Sequence, residues 1–383
     1  MKRYGGQLID NSDIEEVVSV LQSDFLTQGP KVKEFELGIL KETNSVFASA
    51  VNTGTAALHL ACLSLGLSQD DIVWTVPNSF VASATCALAC GAIIDFVDIQ
   101  VPSLNICISS LEKKLILSKK NSCLPKILIV VHFGGNPCDL ENIRRLSLLY
   151  DFQVIEDASH ALGATFKDSN IGSCKYSDAT TFSFHPVKII TTGEGGVVTS
   201  NDQLIYEKIN LYRSHGISKD TSRFSNNVKE SYYYEQVVLG WNYRMSDIHA
   251  ALGVSQLKKL RTFVARRNEI AERYLQKLAH LPLDFQAIQR DSTSSYHLFI
   301  IMLENRTIRD DLYRYLVAKN IGVQVHYIPI HTHPFFKEQG FSVGMFPNAE
   351  KYFDKTITIP LHPGLTEKDQ DFIVKKIDNF FKQ

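Results

Sequence analysis

No apolar run in this chain approaches the ~20 residues that a membrane-spanning helix needs, so no membrane segment is expected. Met1, Lys2, Arg3 and Tyr4 lead into no apolar stretch, so no secretory signal is expected either. An excess of one charge is also missing: Lys plus Arg number 40 and Asp plus Glu 41, for a formal net charge of −1. A field that weak draws the molecule to neither nucleic acid nor anionic lipid, and any anionic ligand must be held by local groups. The seven cysteines contain no CxxC pair, which points to reduced thiols and a cytoplasmic setting. Cys86 and Cys90 share a helix face but lack further ligands, and are read as core thiols. His331 and His333 are the nearest approach to a metal pair; they are read as surface-loop residues, and no metal is expected. Neither GxxxxGK[ST] nor GxGxxG occurs, so no ATP P-loop or dinucleotide fingerprint competes for the site.

What is present is a chain of 383 residues, long enough for two domains. From Ser45 to Ser200 short apolar runs alternate with helical stretches. The runs are Val46–Val51, Ile72–Val76, Ile93–Val97, Ile127–Val131, Val154–Ile155, Ala179–Phe184 and Gly196–Val198. Amphipathic segments lie between several of them, such as Ala56–Leu65, Val81–Cys90 and Leu140–Leu149. Near-continuously apolar strands separated by helices imply a mostly parallel sheet covered on both faces, with ligands at the strands' carboxyl ends. After Trp241 the texture changes. Ser246–Ala279 reads as a long helix broken near Arg261. Then come strands at His297–Leu303, Val323–Tyr327 and Ile357–Leu361, a helix near Arg309–Lys319 and a terminal helix from Thr366. The expected division is a large α/β domain over residues 1–245 and a smaller α+β domain over residues 246–383. The tyrosine-rich stretch Ser218–Glu235 reads as a surface loop.

Three segments carry chemistry. Val154-Ile155-Glu156-Asp157-Ala158-Ser159-His160 places Asp157 at the carboxyl end of a buried strand. There a carboxylate needs a positive partner, such as a protonated pyridine nitrogen, or else it serves as a helix cap or turn acid. Phe182-Ser183-Phe184-His185-Pro186-Val187-Lys188, followed by Ile189-Ile190-Thr191-Thr192-Gly193-Glu194-Gly195-Gly196, ends a strand at a proline. It then sets a lysine between apolar neighbours, where it has reason to lose its proton and act as a nucleophile. Asn52-Thr53-Gly54-Thr55-Ala56-Ala57-Leu58-His59 feeds a strand through a glycine into a helix, whose free amides suit a phosphate.

Together these elements resemble the DegT/DnrJ/EryC1/StrS family of sugar aminotransferases, over nearly the whole chain. The most specific part is Phe182 to Gly196. Supporting stretches are Leu26-Thr27-Gln28-Gly29, Arg213-Ser214-His215-Gly216, Gly253–Lys259 and Gly322-Val323-Gln324-Val325-His326-Tyr327. The resemblance implies a fold-type-I pyridoxal 5′-phosphate (PLP) enzyme of the aspartate aminotransferase type. It makes Lys188 the lysine that carries PLP and shuttles the proton, and Asp157 the partner of the pyridine nitrogen. Gly54, Thr55 and Ser183 would hold the phosphate, Phe80 would stack on the ring and His160 would lie beside it. Asn242 would reach the phosphate of the partner subunit in a homodimer with shared active sites. Tyr4, Asp24, Phe25, Leu26, Thr27, Gln324, Val325, His326 and Tyr327 would contact a nucleotide sugar, with Arg213 and His215 as further anion candidates.

The implied reaction moves an amino group from L-glutamate to C4 of a UDP-4-keto-6-deoxy-N-acetylhexosamine. It would form UDP-4-amino-4,6-dideoxy-N-acetyl-β-L-altrosamine, toward pseudaminic acid. Other readings stay open: another nucleotide-linked keto sugar (bacillosamine, legionaminic or perosamine type), a PLP-dependent sugar dehydratase, or a non-catalytic sensor on the same fold. Lys188 argues against the dehydratases, which carry histidine there, and the complete lysine–aspartate–serine set argues against a sensor. Two departures touch the substrate. Asn52-Thr53-Gly54-Thr55 stands where close relatives often read Asn-Ser-Ala-Thr, and Ile328 stands where they often place a lysine.

Overall fold

The computed structural model describes residues 2–226, 228 and 230–382; Met1, and Asn227 and Lys229 of the tyrosine-rich stretch, lie outside the described residues. The apolar runs become a seven-stranded sheet. Its strands are β1 (Phe47–Val51), β2 (Ile72–Thr75), β3 (Ile93–Phe96), β4 (Ile127–Val131), β5 (Gln153–Asp157), β6 (Ala179–Ser183) and β7 (Gly196–Ser200). The spatial order is β1-β7-β6-β5-β4-β2-β3. Only β7 runs against its neighbours, pairing antiparallel with β1 and β6; β6, β5, β4, β2 and β3 are parallel. Strands such as Ile127–Val131 are buried throughout, the pattern of a sheet covered on both faces.

The covering helices explain the spacing of the runs. The helix Leu140–Tyr150 is capped by Asp139 and turns Leu140, Ile143 and Leu146 inward, with Glu141 and Arg145 outward. The helix Gly54–Ser64 departs from the amphipathic reading given to Ala56–Leu65. It is buried on nearly every face, from Ala56 to Cys62, because it lies against β6 and β7 on one side and under two other helices on the other. The stretch from Ser246 is two helices, Asp247–Leu257 and Leu260–Leu278, with the break at Lys258–Lys259. Asp247 also accepts from the amides of Gly29 and Lys31. It thereby caps the helix Pro30–Thr43, whose own N-cap is a glycine with no side chain to offer.

Two hydrophobic cores result. The larger surrounds the seven-stranded sheet and includes Ala250, Val254 and Phe263. The smaller is built from Ile270 onward, around the antiparallel pair Phe299–Met302 and Thr356–Ile359 and the terminal helix Glu367–Phe381. The strand expected at Val323–Tyr327 does not form. Only Gln324 pairs, with Thr358, and the chain then leaves the sheet toward Pro329, which has no N–H to continue a ladder. The stretch Ser218–Glu235 is closed at its base by a two-residue pairing of Ile217–Ser218 with Glu235–Gln236. Among the described residues no helix is long and apolar enough to cross a membrane, and no cluster of metal-binding side chains occurs.

Candidate active site

A cavity of about 880 Å³ opens where β4, β5 and β6 end, lined by Val131, Asp157 and Ser183 from those strands. Asp157 is the last residue of β5 and is 5% exposed. Its Oδ2 accepts from the Ser83 hydroxyl at 2.6 Å. Its Oδ1 accepts from the Ser159 amide at 3.1 Å and hydroxyl at 2.6 Å. Ser83 in turn shares a 2.7 Å bond with Ser79 on the cavity wall. These donors hold the carboxylate in one orientation, yet all are neutral, and the charge that faces the buried acid is the Lys188 ammonium across the cavity.

Lys188 follows β6 in a loop tied to itself. Phe184 N donates to Gly195 O at 2.9 Å, Thr192 N to Phe184 O at 3.0 Å, and Lys188 N to His185 O at 2.8 Å. The loop therefore cannot swing the amine freely, and Lys188 lines the cavity with Asp157. Burial lowers the amine's pKa to about 8, against the opposing pull of the Asp157 charge. At pH 7 roughly one molecule in ten then holds a neutral amine, against roughly one in a few thousand for an ordinary lysine.

The third wall is the N-terminus of the helix Gly54–Ser64. Thr53, not Thr55, is its cap, accepting from Ala56 N. That leaves the Gly54 and Thr55 amides pointing outward beside Ser183. Two glycines permit this closeness. A Cβ on Gly54 would stand 2.7 Å from Ser183 Cβ, and one on Gly196 would stand 2.4 Å from Thr53 O. The Thr-Gly-Thr turn and the Gly-Gly turn thus fit together only without side chains.

On the far side Gln324, Val325, His326, Tyr327 and Tyr4 line the same cavity. Thr358 anchors this segment by exchanging backbone hydrogen bonds with Gln324 and through its hydroxyl to His326 Nδ1 at 2.8 Å. The Tyr352 hydroxyl adds a 2.6 Å bond to His326 O. His160 lies on the cavity wall with its Nε2 3.2 Å from the Tyr327 hydroxyl. Phe80 is 58% exposed at the mouth, its ring 6.1 Å from that of Tyr327.

Other sequence candidates lie elsewhere. Asn242 is exposed and pairs with Ser214 outside this cavity. Asp24, Phe25, Leu26 and Thr27 are exposed too, fixed by Leu26 O to Asp247 N and by a Thr27–Ser246 bridge. Arg213 is not free for an anion: its guanidinium donates to Glu36 at 2.8 Å and to Ala50 O at 2.6 Å. His215 is exposed, away from the cavity lining. The histidine pair divides, contrary to the surface-loop reading: His331 is fully buried against Glu350, whereas His333 lines the cavity. Sequence reasoning gave no role to Ser83 or Ser159 and read His333 as a surface-loop residue. Asp-x-Ser is a recognisable local turn pattern, but Ser83 lies 74 positions from Asp157 and carries no local signal.

The match to known proteins is extensive. Residues 7–378 fit the DegT/DnrJ/EryC1/StrS aminotransferase family. The chain belongs to that family. It is 39% identical over 377 residues, 97% of this chain and 96% of the other, to the UDP-4-amino-4,6-dideoxy-N-acetyl-β-L-altrosamine transaminase of Campylobacter jejuni. Among solved structures it resembles PseC of Helicobacter pylori, an aminotransferase of pseudaminic acid biosynthesis, with 30% identity, a TM-score of 0.90 and 99% and 98% of the two chains covered. Spr1654 of Streptococcus pneumoniae, solved in its PMP form, gives 28% identity and 0.89 over 99% and 98%.

The chain is thus a PLP-dependent sugar aminotransferase of the DegT/DnrJ/EryC1/StrS family, on the fold-type-I scaffold. The cavity fits PLP group by group. Asp157, whose hydrogen-bond donors are all neutral, suits a protonated ring nitrogen, the free amides of Gly54 and Thr55 suit a phosphate, and the partly neutral Lys188 amine suits an aldehyde carbon. A DegT-family enzyme loaded through this amine should capture PLP faster as pH rises through about 8 and level off about one unit above it. The sign follows from the lowered pKa: raising pH removes the proton that blocks attack. Mixing apoprotein with PLP across pH 6–9 and following absorbance checks this; a rate still climbing steeply above pH 9 would contradict it.

Proposed function

We propose that this enzyme transfers the amino group of L-glutamate to C4 of a UDP-4-keto-6-deoxy-N-acetylhexosamine, forming UDP-4-amino-4,6-dideoxy-N-acetyl-β-L-altrosamine. The observation that carries the reading is a single cavity shared by Lys188, Asp157 and the substrate-side segment Gln324–Tyr327. The Campylobacter jejuni relative supports the substrate class.

When bound, PLP supplies a carbonyl that takes up amines and a ring that stores the electrons released at the reacting carbon. The residues do the rest. The Lys188 Nζ holds the cofactor and, once displaced, carries the proton at the sugar's C4. Asp157 keeps the ring nitrogen protonated, its own orientation set by Ser83 and Ser159. Gly54, Thr55 and Ser183 hold the phosphate, and Phe80 and His160 flank the ring. Tyr4 and Gln324, Val325, His326 and Tyr327 hold the nucleotide sugar. Incubating the purified protein with L-glutamate and a panel of UDP-4-keto sugars, read by NMR for a new C4 amine, tests the reading. Amine on none of the panel would end it.

Gly54→Val should place its branched side chain into Ser183 and displace the phosphate. The dissociation constant for PLP should rise about tenfold or more, as expected for one lost charge-assisted contact. Equilibrium titration measures it, and unchanged affinity would move the phosphate elsewhere.

We further propose a cytoplasmic homodimer in which Asn242 and Asp24–Thr27 of one subunit complete the cavity of the other, since all five are exposed and lie outside their own chain's cavity lining. Mixing inactive Lys188→Ala subunits with inactive Asn242→Ala subunits should then restore activity, because the mixed dimer holds one intact site. No recovery on subunit exchange would place Asn242 outside the shared site.

A further inference from the structure

Among the described residues the Tyr327 hydroxyl has one hydrogen-bond partner, His160 Nε2 at 3.2 Å. Which of the two donates is decided on the other side of the imidazole. The Gly134 N–H can only donate, and it reaches His160 Nδ1 at 3.3 Å. Nδ1 must therefore be bare. Burial, with the charges of Lys188 and His326, pushes the imidazole's pKa well below its usual value, so the ring is neutral. A neutral ring with a bare Nδ1 carries its proton on Nε2 and donates it to Tyr327. The ring cannot turn over easily: it lies against His297 with centroids 4.3 Å apart, and the His160 carbonyl accepts from the Ser295 hydroxyl at 2.7 Å.

A phenol oxygen that accepts this bond keeps its own proton to give. Phe80 and Phe133, with rings 6.1 and 6.2 Å from that of Tyr327, offer no acceptor of comparable strength, and His326, whose ring lies 4.8 Å away, is engaged through Nδ1 with the Thr358 hydroxyl and makes no hydrogen bond to the Tyr327 hydroxyl. Burial holds the phenol's pKa far above its ordinary value, so the proton stays on the oxygen at neutral pH. The remaining direction is the cavity that Tyr327 shares with Lys188. A ketone oxygen is an acceptor with no proton of its own, so it satisfies a donor fixed in this way without leaving a buried hydroxyl unpaired.

We propose that Tyr327 is a fixed hydrogen-bond donor to the carbonyl oxygen of the keto substrate, and that His160 is the positioning residue that turns the Tyr327 proton into the cavity. This rests on the keto-sugar reading above and adds to it the group that recognises the ketone.

Two measurements test it separately. In the first, ¹⁵N-histidine NMR of the holoenzyme, with His160 assigned from the signal lost in His160→Gln, should show a neutral ring protonated on Nε2. A proton on Nδ1 overturns the proposal, whatever the substrate proves to be. In the second, single-turnover mixing follows the two halves of the reaction apart, L-glutamate alone and then UDP-4-keto sugar. Tyr327→Phe should slow the sugar half roughly 10- to 100-fold, the effect of one lost buried hydrogen bond, and at least tenfold more than it slows the glutamate half. In the sugar-half rate relative to the glutamate-half rate, which cancels any effect of His160 on the ring it flanks, His160→Ala should lose less than Tyr327→Phe. By the same measure the double variant should lose no more than Tyr327→Phe alone, because in ketone recognition His160 acts through that hydroxyl. Equal slowing of both halves, or losses that multiply, would overturn the proposal. A wild-type enzyme inert toward every UDP-4-keto sugar would sink the substrate reading instead, and the NMR result would still decide the proton's place.

Discussion

Lys188→Ala should purify as a folded protein and turn over no substrate above background. The loss should be at least the roughly 10²–10⁴-fold typical of removing one positioned proton carrier. It should exceed that range because, in the proposed function, the same nitrogen also anchors the cofactor. The amine sits in a loop closed by the Phe184, Thr192 and Gly195 backbone bonds, so deleting three methylenes and an ammonium leaves the surrounding fold in place. Relieving a lysine whose burial lowers its pKa to about 8 removes a strained charge rather than a stabilising one. Thermal unfolding of the apoprotein should therefore show a melting point equal to or above that of wild type, while the coupled glutamate assay reads zero. Substantial activity in this variant would place the essential amine elsewhere.

Asp157→Asn should bind PLP and react slowly, by about 10²–10³-fold, the size of effect seen when one preorganised electrostatic contact is removed. The amide is nearly the same shape as the acid but cannot balance a protonated ring nitrogen. It also presents an NH₂ group toward either the Ser83 or the Ser159 hydroxyl, both of which now donate to the carboxylate. Affinity for PLP should fall less than turnover does if, as proposed, the phosphate is held on a separate wall by Gly54, Thr55 and Ser183. Comparing PLP titration with single-turnover rates measures the split. Equal losses in binding and rate would mean that the acid merely supports the cavity.

The large sheet was legible because each strand is a short apolar run bounded by polar turns, and burial of both faces removes the alternation that would blur it. Asp157 and Lys188 were legible for a related reason: Asp157 is the last residue of one such strand and Lys188 stands five residues past the end of the next, so both fall on the ligand edge of the sheet. What the sequence concealed depends on distance along the chain. Ser83 reaches Asp157 across 74 positions, and nothing local marks a serine for that contact. The two-residue pairings of Thr165–Phe166 with Ser169–Asn170 and Ser292–Thr293 are too short to leave a period. Val323–Tyr327 has strand-forming residues, but its partners give it one bridge only, so tertiary context overrides propensity. His333 was misread because a histidine before a proline in a polar stretch looks like surface, and only the fold brings it to the cavity.

Reducing the PLP-loaded enzyme with borohydride fixes the cofactor wherever its aldehyde carbon meets an amine. After proteolysis and mass spectrometry, the account expects the added pyridoxyl mass on the peptide bearing Lys188 and on no other. The mass on a different lysine, or on none, would contradict it.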